Sequence, residues 1–339
     1  MKWHPLSRGF SHFEGHYNGA IDYFSLERDG ERDWHVNYEP SHTQGYATDL
    51  IADAASKFIL DAAAGDAPYF CYVPFNAPHS PFQAKPEDIA RYAKGSKPTS
   101  EDILKAMIWS MDQGVGKILA AIQDSGEVDN TQVWFLSDNG GVGKFKANNV
   151  PLHGSKLTTF EGGVRVPACV RWSARWKGGR RVENTMGYID VFPTVLSSAG
   201  VDPAVGPVPD RDLDGSSLCD LFEGTESAIP ERDWYSYHGQ SGADSETIAI
   251  KTFQWKLVVV GPDIRATALS DKHKVYLYRM PDDLLEKHNL ADEHADVVET
   301  LYAKLQAYRS LQPANGVSVY GAGKKGFTPW KDWRIPRTD

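Results

Sequence analysis

Cysteine is scarce in this sequence: three in 339 residues, Cys71, Cys169 and Cys219, far apart and with no C-x-x-C pair. That spacing excludes a zinc cluster and a disulfide framework. The apolar neighbours, as in Phe-Cys-Tyr and Ala-Cys-Val, lead us to expect buried structural thiols. Long apolar runs are missing as well, and no window approaches the ~18 residues of a membrane span. Positive charge is in deficit: 36 Lys and Arg stand against 45 Asp and Glu, a formal net charge of −9. A broad nucleic-acid-binding face is therefore not expected. The same balance says nothing against a small anionic ligand, because a few local cations dominate one pocket. No basic n-region or apolar h-region follows Met1, so no signal peptide is legible.

What is present is ordinary for a globular chain, with 41% hydrophobic and 24% charged residues, and the length suits one large α/β domain with a smaller appendage. The 10 Trp and 15 Tyr point to wide aromatic packing. Residues 46–64 read as a helix, with Leu50, Ile51, Ala54, Ala55, Phe58 and Ile59 at helical spacing and Gly65 as the stop. The apolar run Tyr69 to Phe75 reads as a buried parallel strand. A second helix follows the candidate caps Thr99 and Ser100, with Glu101 and Asp102 in its first turn, and runs to Gly126. Two further buried runs, Val133 to Ser137 and Val166 to Trp172, read as strands. This alternation predicts a mostly parallel sheet flanked by helices, with ligands at the carboxyl ends of its strands. The texture changes near residue 235. Thr247–Val260 and Val275–Tyr278 read as antiparallel strands and 295–310 as a closing amphipathic helix. We therefore divide the chain into a domain at 1–235 and a smaller α+β subdomain at 236–339.

Several residues are placed for chemistry. Lys2 and His4 are two apart and share a face if their segment is extended. His79, in Asn-Ala-Pro-His-Ser-Pro just past a strand, is placed for general acid work, or is a loop histidine with a satisfied partner. Asp138 and Asn139 offer hard oxygens at a strand end, suited to Ca²⁺ or Mg²⁺; an Asp-Asn-Gly turn is the plainer alternative. Lys156 lies in a glycine-rich loop and reaches a bound anion as a point charge, or is a solvated loop lysine.

Taken in order, these pieces resemble a known family. Lys2-Trp-His4, Gly19-Ala-Ile-Asp-Tyr-Phe24, Gly45-Tyr-Ala-Thr-Asp49, Pro78-His79, Ser137-Asp-Asn-Gly-Gly141 and Gly154-Ser-Lys-Leu-Thr-Thr-Phe-Glu-Gly-Gly-Val-Arg-Val-Pro167 are similar to formylglycine-dependent sulfatases, of the bacterial arylsulfatase kind related to arylsulfatase B. The resemblance implies an alkaline-phosphatase-like α/β fold with a small antiparallel C-terminal subdomain. It implies Lys2, His4 and Lys156 on the sulfate oxygens, His4, His79 and Lys156 as catalytic groups, and Asp138 and Asn139 as half of a Ca²⁺ site. The ligand implied is an aryl or carbohydrate sulfate ester, and the location periplasmic or extracellular. The family's formylglycine arises from a cysteine in Cys-x-Pro-x-Arg, and none of the three cysteines stands in that motif. We therefore expect residues 1–339 alone to be inactive, with the upstream part of the sulfatase missing from them. The alternatives are a non-catalytic sulfate- or glycan-binding relative, and a phosphodiesterase or phosphonate hydrolase of the same superfamily.

Overall fold

The computed structural model describes residues 2–95, 97–145, 149–202, 213–225, 231–242, 244–265, 268–313, 316–324 and 326–334. They group into two compact units, residues 1–131 with 326–339, and residues 132–325. This grouping does not divide the chain at 235/236; the antiparallel strands and closing helix expected beyond that point lie within the second unit.

The first unit opens with short strands, β1 (Glu14–Gly15), β2 (Glu27–Arg28), β3 (Glu31–Arg32), β4 (His35–Val36) and β5 (Glu39–Pro40), paired β1-β4-β5 and β2-β3. Helices α1 (Ala47–Ala63), α2 (Pro86–Ala93) and α3 (Ser100–Asp124) follow. Of the positions that predicted α1, Ala55 and Ile59 are buried, and the helix also buries Ala52. Helix α3 begins where the sequence placed it, because Thr99 and Asp102 close a reciprocal cap: Thr99 Oγ1 accepts the Asp102 N–H at 3.2 Å, and Asp102 Oδ2 accepts the Thr99 N–H at 2.9 Å. Gly114 lets α3 close onto α1, since a methyl group there would lie 3.2 Å from Ala52 Cβ. Helix α2 was not foreseen; it spans only eight residues. The core gathers Ile21, Tyr23, Leu26, Trp34, Tyr46, Ala106 and Met107. Trp333 joins this unit, its Nε1 donating to the Arg28 carbonyl at 2.9 Å.

Residues 69–75 run without strand pairing, and Phe70 and Tyr72 are 56% and 69% exposed. A strand exists only through a neighbour about 4.8 Å away, and apolar composition alone does not supply one. Every pairing among the described residues is antiparallel. The cysteines depart from expectation too: Cys169 is exposed, and Cys71 and Cys219 are half-buried. Phe70 and Tyr72 beside Cys71 are themselves exposed, whereas Leu218 beside Cys219 is buried. Burial still pushes the Cys71 thiol up to about 11, which keeps it from thiolate chemistry at neutral pH.

The second unit pairs β6 (Val133–Leu136) with β7 (Ala168–Arg171); Trp176, Leu218, Leu221 and Phe222 form a core beside them, with Trp134 and Val170 packed on it. Between these strands lies the short helix α4 (Glu161–Val164), and after them α5 (Val191–Ser198) and α6 (Cys219–Glu223). An antiparallel sheet follows, β8 (Trp234–His238), β9 (Glu246–Lys251), β10 (Trp255–Gly261) and β11 (Lys274–Arg279), in chain order, with α7 (Ala295–Ser310) closing it. The period of two sorts its side chains. Ile248, Ile250, Leu257, Val259 and Leu277 pack with Val298, Leu301 and Leu305 of α7. Ala249, Val258 and Tyr278 pack instead with Phe160, from the loop that carries Lys156.

Candidate functional site

In the first unit the structure separates Lys2 from His4. Lys2 is exposed, its Nζ 5.2 Å from the centre of the Trp3 ring. His4 is 5% exposed and lies against the rings of Phe13, Tyr17 and Tyr38. It caps the 3₁₀ turn Pro5–Arg8, with Nδ1 accepting the Leu6 N–H at 3.2 Å. Since Nδ1 accepts, Nε2 carries the proton and donates to the Asn37 carbonyl at 3.1 Å. Burial holds this imidazole below its usual range, against the opposing pull of the Asn37 carbonyl. The shared face expected of the pair is not formed, because the cap turns His4 inward.

His79 is exposed and fixed by its backbone. Its N–H donates to the Asn76 carbonyl at 2.8 Å, and its carbonyl accepts the Tyr23 hydroxyl at 2.9 Å. The ring Nδ1 lies 2.8 Å from the Ser80 carbonyl, which only accepts, so Nδ1 carries the proton. Nε2 is left as the nitrogen that meets an outside partner. That is the arrangement a general acid or base needs: one nitrogen held, the other presented.

In the second unit two loops are joined. Gly140 N–H donates to the Gly163 carbonyl at 2.9 Å and Lys156 N–H to the Gly141 carbonyl at 2.9 Å. Asn149 bridges Gly141 in both directions, at 2.8 and 2.9 Å. The glycines are required by contact. A methyl group at Gly140 would overlap the Gly162 carbonyl oxygen, and one at Gly162 would lie 2.5 and 2.6 Å from the His153 and Gly154 carbonyl oxygens. The Asp138–Asn139 strand end and the Lys156 loop are thus one assembly. Asp138 is exposed, and its carboxylate has no partner among the described residues. Asn139 Nδ2 donates to the Gly140 carbonyl at 3.0 Å, which leaves Oδ1 as a free donor of electron pairs. The Lys156 ammonium has no ion-pair partner among the described residues, so its charge is available to an anion.

For Ca²⁺, which takes about 6–8 oxygens, Asp138 and Asn139 supply two side chains of the right chemistry. Among the described residues no group of three or more His, Cys, Asp or Glu is placed to hold a metal. The residues fit a partial shell only.

Beneath the loop lies a buried ionic cluster that the sequence did not reveal. Glu161 is 1% exposed, Lys256 1% and Glu286 4%. Lys256 Nζ lies 2.9 Å from Glu161 Oε1 and 2.8 Å from Glu286 Oε1. Lys251 Nζ and Arg165 Nε reach Glu161 Oε2 at 3.0 and 2.7 Å, and the Glu161 N–H donates to Glu286 Oε2 at 2.8 Å. Burial alone would raise the Glu161 carboxyl, but the neighbouring ammoniums of Lys256 and Lys251 hold it at about 2. Burial pushes Glu286 up, against the pull of Lys256. The one sequence signal was Lys256 itself, a charge inside the apolar run Trp255 to Gly261, which needs a buried counter-ion.

Comparison with known proteins agrees with the order of these pieces. A family model described as Sulfatase matches residues 2–201, and one described as N-sulphoglucosamine sulphohydrolase, C-terminal, matches residues 154–310. The chain is 26% identical over 341 residues to an uncharacterized sulfatase, YdeN, of Escherichia coli (strain K12), covering 92% of this chain and 58% of that protein. It is 30% identical over 258 residues to N-acetylgalactosamine-6-sulfatase of Canis lupus familiaris, covering 71% and 47%. The chain thus spans about half the length of these curated relatives. Among solved structures, Ps i-CgsB in complex with k-i-k-neocarrahexaose superposes with a TM-score of 0.80 at 25% identity, over 96% of this chain and 71% of that one. The fold is therefore the alkaline-phosphatase-like α/β fold of those structures, with its antiparallel C-terminal sheet. Spanning 200 of 339 residues, the first of these matches contains Lys2, His4, His79, Asp138, Asn139, Lys156 and Glu161, and the chain belongs to the sulfatase family.

Proposed function

We propose that the whole protein hydrolyses a sulfate ester of a carbohydrate. The family resemblance assigns Lys156 to the sulfate and the leaving oxygen, His79, through Nε2, to proton exchange with the leaving group, and Lys2 to the sulfate as a second cation. Asp138 and Asn139 supply oxygens to a Ca²⁺ ion, which when bound would neutralise charge on the sulfate. His4 reaches a sulfate only if its Nε2 leaves the Asn37 carbonyl; held as it is, it orders the segment behind Lys2. The formylglycine nucleophile of the family is not supplied by residues 1–339, whose cysteines all lie outside the maturation motif. We place the activity in the periplasm or outside the cell, as the family resemblance implies.

The observation that carries this reading is the Lys156 loop: an ammonium with no ion-pair partner among the described residues, on a backbone tied to the Asp138–Asn139 strand end, within a chain of the sulfatase family. The carbohydrate class is supported by the relatives, one of them an N-acetylgalactosamine-6-sulfatase and another bound to a neocarrahexaose. The test is sulfate release by the whole protein from a sulfated oligosaccharide and a chromogenic aryl sulfate, followed by ion chromatography. Release that falls at least 100-fold in Lys156→Ala supports the reading, since losing positioned charge stabilisation costs about 10²–10³ in rate. Binding of the saccharide without turnover would favour a non-catalytic relative. Cleavage of a phosphonate monoester or phosphodiester alone would favour phosphoryl chemistry.

A further inference from the structure

We propose that Glu161, Lys256 and Glu286 are positioning residues for Lys156: a buried ionic clamp that fixes the 153–163 loop against the antiparallel sheet, and so sets where the Lys156 ammonium stands. The inference rests on the reading of Lys156 as a sulfate contact. Three observations carry it.

The first is the cost of the cluster. Removing three charged side chains from water is unfavourable, and well-packed apolar residues of similar volume commonly serve stability as well or better. Here apolar packing is already present at the same face, where Phe160 meets Ala249, Val258, Tyr278 and Met280. Adhesion of loop to sheet therefore does not need the ions. What apolar contact leaves loose is rotation and depth, and directional ion pairs fix both.

The second is the geometry of the loop. Its ends are drawn together, with the Gly162 N–H donating to the His153 carbonyl at 2.6 Å. Glu161 stands at that closure and is gripped on both sides. Its carboxylate meets Lys256, Lys251 and Arg165 at 2.7–3.0 Å, while its own N–H is held by Glu286. Thr159 adds a further link, its hydroxyl 2.8 Å from that of Thr247 on β9. Lys156 sits five residues from Glu161, on the span between the pinned ends, with its N–H on the Gly141 carbonyl at 2.9 Å.

The third is the direction of the chain of contacts. Lys256 on β10 is remote in sequence and fully buried, so it touches no substrate. It grips Glu161, which fixes the loop, and the loop holds both Lys156 and, through Gly140 and Gly141, the Asp138–Asn139 strand end. A defect at Lys256 is transmitted to the site by this route.

The test uses the whole protein, with Lys256→Met, Lys256→Arg, Glu161→Gln, Lys156→Ala and the double variant Lys156→Ala/Lys256→Met. In Lys256→Met, amide hydrogen exchange at Lys156, Gly162 and Gly163 should quicken at least tenfold, while amides of β9, β10 and β11 stay protected. Hydrolysis of the chromogenic sulfate should lose about 10–100-fold in kcat, the scale of a 1 Å misplacement, with KM changed less. Lys256→Arg should recover most of the loss, and the double variant should be no slower than Lys156→Ala alone, because Lys256 acts only through Lys156. Unchanged exchange in the loop, or losses that add in the double variant, would overturn the proposal. Should Lys256→Met not fold, Glu161→Gln and Lys256→Arg carry the same comparison. Should the whole protein hydrolyse no sulfate ester, the functional reading fails, and the exchange data alone still decide whether the clamp exists.

Discussion

Gly140→Ala tests whether the two loops of the second unit are joined as closely as the structure has them. The added methyl would overlap the Gly162 carbonyl oxygen and lie 2.9 Å from its carbon and 3.1 Å from Gly163 Cα. All of these are backbone atoms, so no side chain can swing aside. Ordinary carbon contacts need about 3.5–4.0 Å, so the loops must part by about 1 Å. That movement strains or breaks the 2.9 Å bond from Gly140 N–H to the Gly163 carbonyl. Overpacking costs about 1–3 kcal/mol, and a buried backbone bond left unmade adds about 1–3 kcal/mol. We expect a loss of about 2–6 kcal/mol. Urea unfolding, read by tryptophan fluorescence, measures it. Gly178→Ala is the matched control, with nothing within 4 Å of its added methyl; it should be neutral or stabilise by up to about 1 kcal/mol through the unfolded chain. Equal stabilities for the two variants would refute the close approach of the loops.

Other expectations follow from the same contacts. Glu161, held at about 2 against an ordinary 4.5, contributes stability that is present above pH 4.5 and is lost as pH falls toward 2. The shift corresponds to about 3 kcal/mol, so Glu161→Gln should flatten the acid limb of a stability–pH curve measured by denaturant unfolding; an unchanged limb contradicts the ionised cluster. His79→Asn keeps a polar group but removes the presented Nε2, and should lower kcat for a sulfate ester about 10²–10⁴-fold while leaving the melting temperature within a few degrees. Thr99→Ala removes the α3 cap and should cost about 1 kcal/mol, read as a lower urea midpoint with no change in the m-value.

Some of this was legible in the residues and some was not. Helices α1, α3 and α7 announced themselves by long apolar periods and, for α3, by the Thr99–Asp102 spacing. The antiparallel sheet showed because β9 and β10 are dense in β-branched residues. Residues 69–75 were misread because apolar composition fixes neither strand pairing nor burial, and Phe70 and Tyr72 stand exposed. His4 was expected to share a face with Lys2, yet its nearest chemistry is local: the N–H of Leu6 two residues on meets Nδ1, and no pattern of residue types announces that cap. The order of the motifs placed Lys156, Asp138 and Asn139 in one family frame. The clamp was hidden because Lys256 and Glu161 are 95 positions apart, and only the folded sheet brings them to 2.9 Å.

The most direct test of the account is the rate of sulfate release from a sulfated oligosaccharide by the whole protein, compared between wild type and Lys156→Ala at matched folded concentration. The account predicts release by the wild type and a fall of at least 100-fold in the variant. Wild-type rates in a folded Lys156→Ala protein would contradict it.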